Sequence, residues 1–258
     1  MLETIPPLTI SSSPSSTSLA VLASLLLGLA PLSAVAQPRP GGCVPAPARL
    51  AAWFTFDEPT FSKPGTRIPG IVGTAIRLDG KSQYYELPEA TPGLAVGNED
   101  FSIELWLRTT DKTRVVSVVD KRDATPRGYL VYLQRGNVGF QVASGPDRAD
   151  SVNRTIVADG RWHHVVAVCR RLPPQPLSVF VDGRLQAHNG RSATLDNIDV
   201  RTPLWIGRHH RNVIVAQDSV HMAGDVDELT VYRRALDLAE ASALFKAGSR
   251  GKCRSSKR

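Results

Sequence analysis

The chain has 258 residues, 42% apolar and 21% charged, a balance that excludes disorder and supplies enough apolar surface for one large or two small globular domains. Gly (20) and Pro (19) are frequent enough for many turns, which argues against a long helical bundle. Lys+Arg 31 against Asp+Glu 24 gives a formal charge of +7, favourable to anionic surfaces but silent on fold.

In chain order, residues 19–32 read LAVLASLLLGLAPL, an uncharged apolar run broken at Pro31, short of the roughly 20 residues a bilayer span needs. Ala34-Val35-Ala36 follows in small-x-small form. Residues 1–36 therefore read as a signal peptide cleaved before Gln37, which sends a soluble mature protein without a transmembrane segment to the extracellular space or periplasm. The first 18 residues depart from that pattern, being Ser-rich without Lys or Arg. Cys43 follows Pro40-Gly41-Gly42 rather than an aliphatic-small-small lipobox, against a lipid anchor.

Residues 37–48 form a Pro-rich linker, after which short apolar runs alternate with turn signals. Residues 50–56 (LAAWFTF) predict a first strand, and 74–78 and 84–87 flank the turn dipeptide Asp79-Gly80. Residues 101–108 (FSIELWLR) alternate cleanly: Phe101, Ile103, Leu105 and Leu107 share one face, Ser102, Glu104, Trp106 and Arg108 the other. Strands are also predicted at 114–120, at 128–134 and 138–142 joined by Arg135-Gly136-Asn137, and at 162–170, 177–181, 204–207 and 225–232. A helix is predicted only at the end, with Asp237 as N-cap, Glu240 closing a capping box, and Leu238, Ala241, Leu244 and Phe245 on one face until Gly248. Many short strands with one terminal helix predict a single antiparallel sandwich rather than an α/β fold.

The three cysteines after residue 36 contain no CxxC, which argues against a thiolate zinc site or a redox pair. Cys43 and Cys253 lie near the two ends of the mature chain, and either one disulfide or two unpaired thiols fits that placement. Cys169, inside VVAVC, reads as a small buried hydrophobe.

AWFTFDE (52–58), IRLDGKSQYYELPE (76–89), FSIELWLRT (101–109), DGRWHHVVAV (159–168), VFVDGRL (179–185), LWIGR (204–208) and GDVDELTVYRRAL (224–236) stand in this order. The chain resembles the laminin-G-like, concanavalin A-like jelly-roll domains of bacterial exported proteins from about Cys43 to Cys253. The resemblance places the domain at 49–253, followed by a basic tail at 254–258. It implies an all-β, two-sheet antiparallel jelly-roll β-sandwich with one short C-terminal helix and with binding loops on a rim or concave face. Similar domains begin with Cys-x-Pro and end with Ala-Gly-Ser-x-Gly-Lys-Cys, matched here by Cys43-Val44-Pro45 and 247–253, which implies a Cys43 to Cys253 bridge. The family hosts several functions. The reading adopted is a secreted, non-catalytic, lectin-like module for extracellular glycan or another cell-surface ligand, including an anionic one. The alternatives are a structural or adhesion module recognising protein, and a polysaccharide-active hydrolase or lyase.

Asp225-Val226-Asp227-Glu228 is the most enzyme-like string, but the third acid of a retaining-glycosidase strand is missing, with Leu229 and Thr230 where it would stand. The same acids suit a hard cation. Relatives often hold calcium, and adjacent first and last strands would join Asp57 to Asp227, with Asp79 and the Gly80 carbonyl completing a structural calcium shell. For sugar binding, Trp106 with Glu104 and Arg108 on one strand face, joined by Tyr132 and Gln134 of the neighbouring hairpin, combines an aromatic platform with planar polar groups. Arg122, Arg148, His209, His210 and Arg211 are the alternative rim contacts. Lys246, Arg250, Lys252, Arg254, Lys257 and Arg258 form an acid-free basic end, without the interleaved aromatics that nucleic-acid binding uses. His163 and His164 read as packing positions, and Asn153-Arg154-Thr155 is a glycosylation sequon.

Overall fold

The computed structural model describes residues 42–58, 66–112, 115–125, 127–172, 177–189, 195–210 and 221–253. The signal-peptide reading, residues 37–41 of the linker, Arg211 and the tail at 254–258 lie outside these residues. Among them two antiparallel sheets form the predicted sandwich. The larger sheet orders β12 (Arg184–Asn189), β11 (Leu177–Val181), β10 (His163–Cys169), β5 (Phe101–Arg108), β14 (Ala223–Tyr232), β3 (Thr74–Asp79) and β2 (Thr66–Pro69), with β1 (Leu50–Phe54) also on β14. The second sheet orders β4 (Tyr85–Leu87), β13 (Leu204–Ile206), β6 (Val115–Arg122), β7 (Gly128–Gln134), β8 (Asn137–Ser144) and β9 (Asp147–Ile156).

Alternation decides which side chains meet. Phe101, Ile103, Leu105 and Leu107 from β5 and Tyr129, Val131 and Leu133 from β7 enter one core shared by both sheets. Their intervening neighbours consequently point out of opposite sides of the sandwich.

On the outer side of the larger sheet lies α1 (Leu238–Ala247). Its predicted capping box is present: Asp237 accepts from the Glu240 amide at 2.8 Å, and Glu240 accepts from the Asp237 amide at 3.1 Å. Ala241, Leu244 and Ala247 pack on Val166, Val168, Phe180 and Tyr232, while Phe245 reaches the Trp106 ring at 6.0 Å.

Strand β14 is interrupted by a bulge between Asp227 and Thr230, where Glu228 takes a left-handed φ of 56°. Residues before the bulge pair with β3 and residues after it with β1, so one strand anchors two neighbours on the same side. A Cys43–Cys253 disulfide joins the ends of the described domain, and Cys169 is buried without a bridge. No helix among the described residues is long and apolar enough to cross a membrane.

Candidate functional site: a polar groove on the six-stranded sheet

The outer face of the six-stranded sheet carries a polar cross-strand row. Trp205 on β13 stands opposite Asp120 on β6, Asp120 opposite Leu130 on β7, Leu130 opposite Gln141 on β8, and Gln141 opposite Asp150 on β9. In a neighbouring row Ser117, Tyr132 and Gly139 are successive partners. A Cβ on Gly139 would stand 2.2 Å from the Tyr132 ring, so glycine is what lets that ring lie down against the sheet.

Arg122 and Asp120 form a bidentate pair, Nε and Nη2 each donating at 2.9 Å, with side chains only 1% and 0% exposed. Arg122 Nη1 donates to Gln141 Oε1 at 2.9 Å, and Gln141 Nε2 donates to the Asp150 carboxylate at 2.9 and 3.1 Å. Arg148 Nε stands 3.2 Å from Asp150, and the Tyr132 hydroxyl donates to Asp150 at 3.4 Å. Burial, reinforced by Asp150, pushes the Tyr132 phenol far up, so it stays a donor at any physiological pH. On the other side Ser117 Oγ lies 2.5 Å from His209 Nδ1, and Asp120 Oδ2 accepts from the His210 amide at 3.2 Å. Arg122, Tyr132, Gln141, Arg148, Asp150 and His209 border a groove of about 230 Å³. Buried ion pairs and amides with planar, fixed edges give it a preorganised hydrogen-bonding wall beside an aromatic face.

The structure thus gathers Arg122, Tyr132, Gln134, Arg148 and His209 around one groove. His210 flanks it, its ring stacked on Trp205 at 3.8 Å and its pKa lowered, chiefly by burial. Gln141, Asp150, Asp120 and Ser117 are additional to the sequence reading. Outward alternation in β8 marks Gln141, whereas Asp150 belongs to a strand too polar to be read as one.

Glu104, Trp106 and Arg108 do not join Tyr132 and Gln134, because β5 and β7 belong to different sheets. Trp106 is covered by α1 and packs on His164 at 4.9 Å. Glu104 is buried and engaged: Lys252 Nζ donates at 3.0 Å and the Tyr232 hydroxyl at 2.7 Å, with His164 Nε2 at 3.2 Å. Burial drives the Glu104 carboxyl up, but Lys252, then His164 and Tyr232, outweigh it and hold it at about 2. Arg108 turns to Asp225 at 2.6 Å.

The calcium set is divided as well. Asp57 accepts from the Thr74 amide at 2.9 Å, and Asp227 accepts from the Ile71 and Val72 amides at 2.9 and 3.0 Å, so both carboxylates clamp one loop. Asp79 and Gly80 sit at the far end of β3, roughly 16 Å along the strand. There Asp79 accepts from the amides of Lys81, Ser82 and Gln83, the Gln83 bond foremost in driving its pKa down. Among the described residues no three His, Cys, Asp or Glu side chains gather as a metal site, and Asp79 with Gly80 stands apart from Asp57 and Asp227.

The chain belongs to the concanavalin A-like lectin/glucanases superfamily, whose family model matches residues 79–242. Among curated proteins no sequence matches the chain significantly. Of solved structures, the binding domain of Paraclostridial Mosquitocidal Protein 1 superposes with a TM-score of 0.58 at 17% identity, covering 76% of this chain and 47% of that one. Domains LG4-5 of the mouse laminin alpha1 chain give 0.52 at 19% identity, over 69% and 47%. Domain 4 of AbnA, a GH43 extracellular arabinanase from Geobacillus stearothermophilus in complex with arabinotriose, gives 0.54 at 18% identity, over 75% and 97%. The chain spans about half the length of the first two, and at these identities the likeness shows the fold.

Proposed function

We propose that this is a secreted, non-catalytic carbohydrate-binding module that takes a saccharide in the groove on its six-stranded sheet. The observation that carries the reading is the Tyr132 ring laid against Gly139 beside the Gln141 and Asp150 polar groups, which the buried Arg122 holds in place through Gln141. Sugars present an apolar face edged by hydroxyl pairs. An aromatic face with planar donors and acceptors at its rim matches both features. At about 230 Å³ the groove is smaller than the roughly 300 Å³ of enclosing pockets, which suits one residue of a longer glycan lying across the strands. The arabinotriose complex of the arabinanase domain supports carbohydrate as the ligand class.

A binding role fits the acid in the groove and the one buried beneath it. Asp120 is held bidentately by Arg122, and Asp150 accepts from Gln141, Tyr132 and Arg148. Glycosidases instead set two carboxyl groups facing each other across the scissile bond, free to act on the substrate. The apolar run at 19–32, the small-x-small site at 34–36 and the terminal disulfide support export.

A glycan array probed with the purified protein, with and without EGTA, tests this reading. Binding to at least one neutral glycan in both conditions is expected, with Tyr132→Ala weakening it by about tenfold or more. No glycan bound, or equal binding by Tyr132→Ala, would contradict it.

A further inference from the structure

On the opposite sheet, the cross-strand row beyond Trp106 borders a separate cavity of about 370 Å³. Asp225 on β14 stands opposite Arg77 on β3 and opposite Arg108 on β5. Arg77 donates to it from Nε at 2.8 Å and from Nη2 at 3.2 Å, and Arg108 from Nε at 2.6 Å. The Asp225 side chain is 5% exposed, against 53% and 30% for the two arginines. One sunken carboxylate between two guanidinium groups leaves a unit of positive charge at the cavity wall. Nη1 of Arg77 and both Nη atoms of Arg108 have no partner among the described residues. Arg108 also lies over the Trp162 ring, 4.6 Å from its centroid, which fixes the guanidinium plane. Ala223, Gly224 and Gly160 leave the cavity open above this row.

We propose that this cavity binds an oxyanion borne on an acidic saccharide, a carboxylate or a sulfate ester, through the outward Nη edges of Arg77 and Arg108. Guanidinium forks match such oxyanions in plane and spacing, and a charge-assisted pair is stronger than a neutral hydrogen bond. Asp225 already orders both forks, so little side-chain freedom remains to be lost on binding. A neutral sugar would gain nothing from the surplus charge. The site faces away from the groove on the six-stranded sheet and does not depend on it.

Calorimetric titration of the whole protein with trigalacturonate, which carries carboxylates alone, and with a carrageenan tetrasaccharide, which carries sulfate alone, tests the proposal and separates the two sources. At least one probe is expected to bind, more weakly at 0.5 M than at 0.05 M NaCl as screening requires. Arg77→Gln is expected to weaken that binding by about tenfold or more, and Arg77→Lys to restore part of it. The Arg108 to Asp225 pair survives both substitutions, and a thermal melt of each variant confirms folding. Neither probe binding, wild-type affinity in folded Arg77→Gln, or loss of acidic-probe binding in Tyr132→Ala would overturn the assignment.

Discussion

Lys252 brings one buried ammonium to two buried carboxylates, 3.0 Å from Glu104 and 3.0 Å from Glu228. Burial lowers its pKa, but Glu104 and Glu228 raise it further, so the group stays charged. Trp53 closes the cluster, its indole N–H donating to Glu228 at 3.0 Å and its ring 5.1 Å from the ammonium. Lys252→Met leaves both carboxylates without their cation and should cost about 3–5 kcal/mol, as breaking a buried pair does. Urea unfolding measures this, and a loss below about 1 kcal/mol would mean that the cluster behaves as a surface pair. In the sequence Lys252 is one basic residue of a charged tail, because its partner Glu104 lies 148 positions away and no local pattern joins them. Arg122 was legible as a polar contact but not as a buried one, for the same reason: Gln141 reaches it from another strand.

At the scale of elements, the β14 bulge concentrates unusual electrostatics. Burial pushes the Asp227 carboxyl up to about 7, the Val72 and Ile71 amides opposing and the Glu228 charge adding to the rise. An acid whose folded pKa exceeds its unfolded value stabilises the fold when protonated. That contribution is complete below about pH 4 and lost as pH rises through 7. Burial with two bonded amides, rather than with a cation, makes the neutral acid the favoured form. Asp227→Asn should therefore shrink the difference in urea midpoint between pH 5 and pH 8. His163, raised chiefly by its bond to Asp182, and Glu228, raised chiefly by burial, lose stability in the same direction and stay in the variant, so the comparison reports Asp227 together with its coupling to Glu228. An unchanged difference would place the pH dependence elsewhere. Strands β5, β7, β10 and α1 were legible because apolar alternation or a capping box announces them. Strand β9 (DRADSVNRTI) was not: it turns only Ala149, Ser151 and Asn153 inward and sits at a sheet edge, where no apolar stripe is required. β2 and β12 are polar edge strands missed on the same grounds.

At the scale of the molecule, the two outer faces have different fates. One is largely roofed by α1 and by the terminal segment, where the Val44 amide donates to Gly251 at 3.0 Å and the Cys253 amide to Val44 at 2.7 Å. The other carries the Tyr132 groove. Alternation in 101–108 and 128–134 reveals which residues leave the core but not through which side, since both strands show the same pattern and their sheets are fixed by pairings far along the chain. That is why Glu104, Trp106 and Arg108 were joined to Tyr132 and Gln134 although β5 and β7 lie in different sheets, while Arg122, Arg148 and His209, read as an alternative set, share the groove with Tyr132 and Gln134. Mapping of amide chemical shifts while the best array glycan is titrated in tests the central claim most directly. The expected result is saturable shifts confined to β6, β7, β8 and β9 around Ser117, Tyr132, Gln141 and Asp150. Shifts confined to the eight-stranded sheet, or to loops away from the groove, would contradict it.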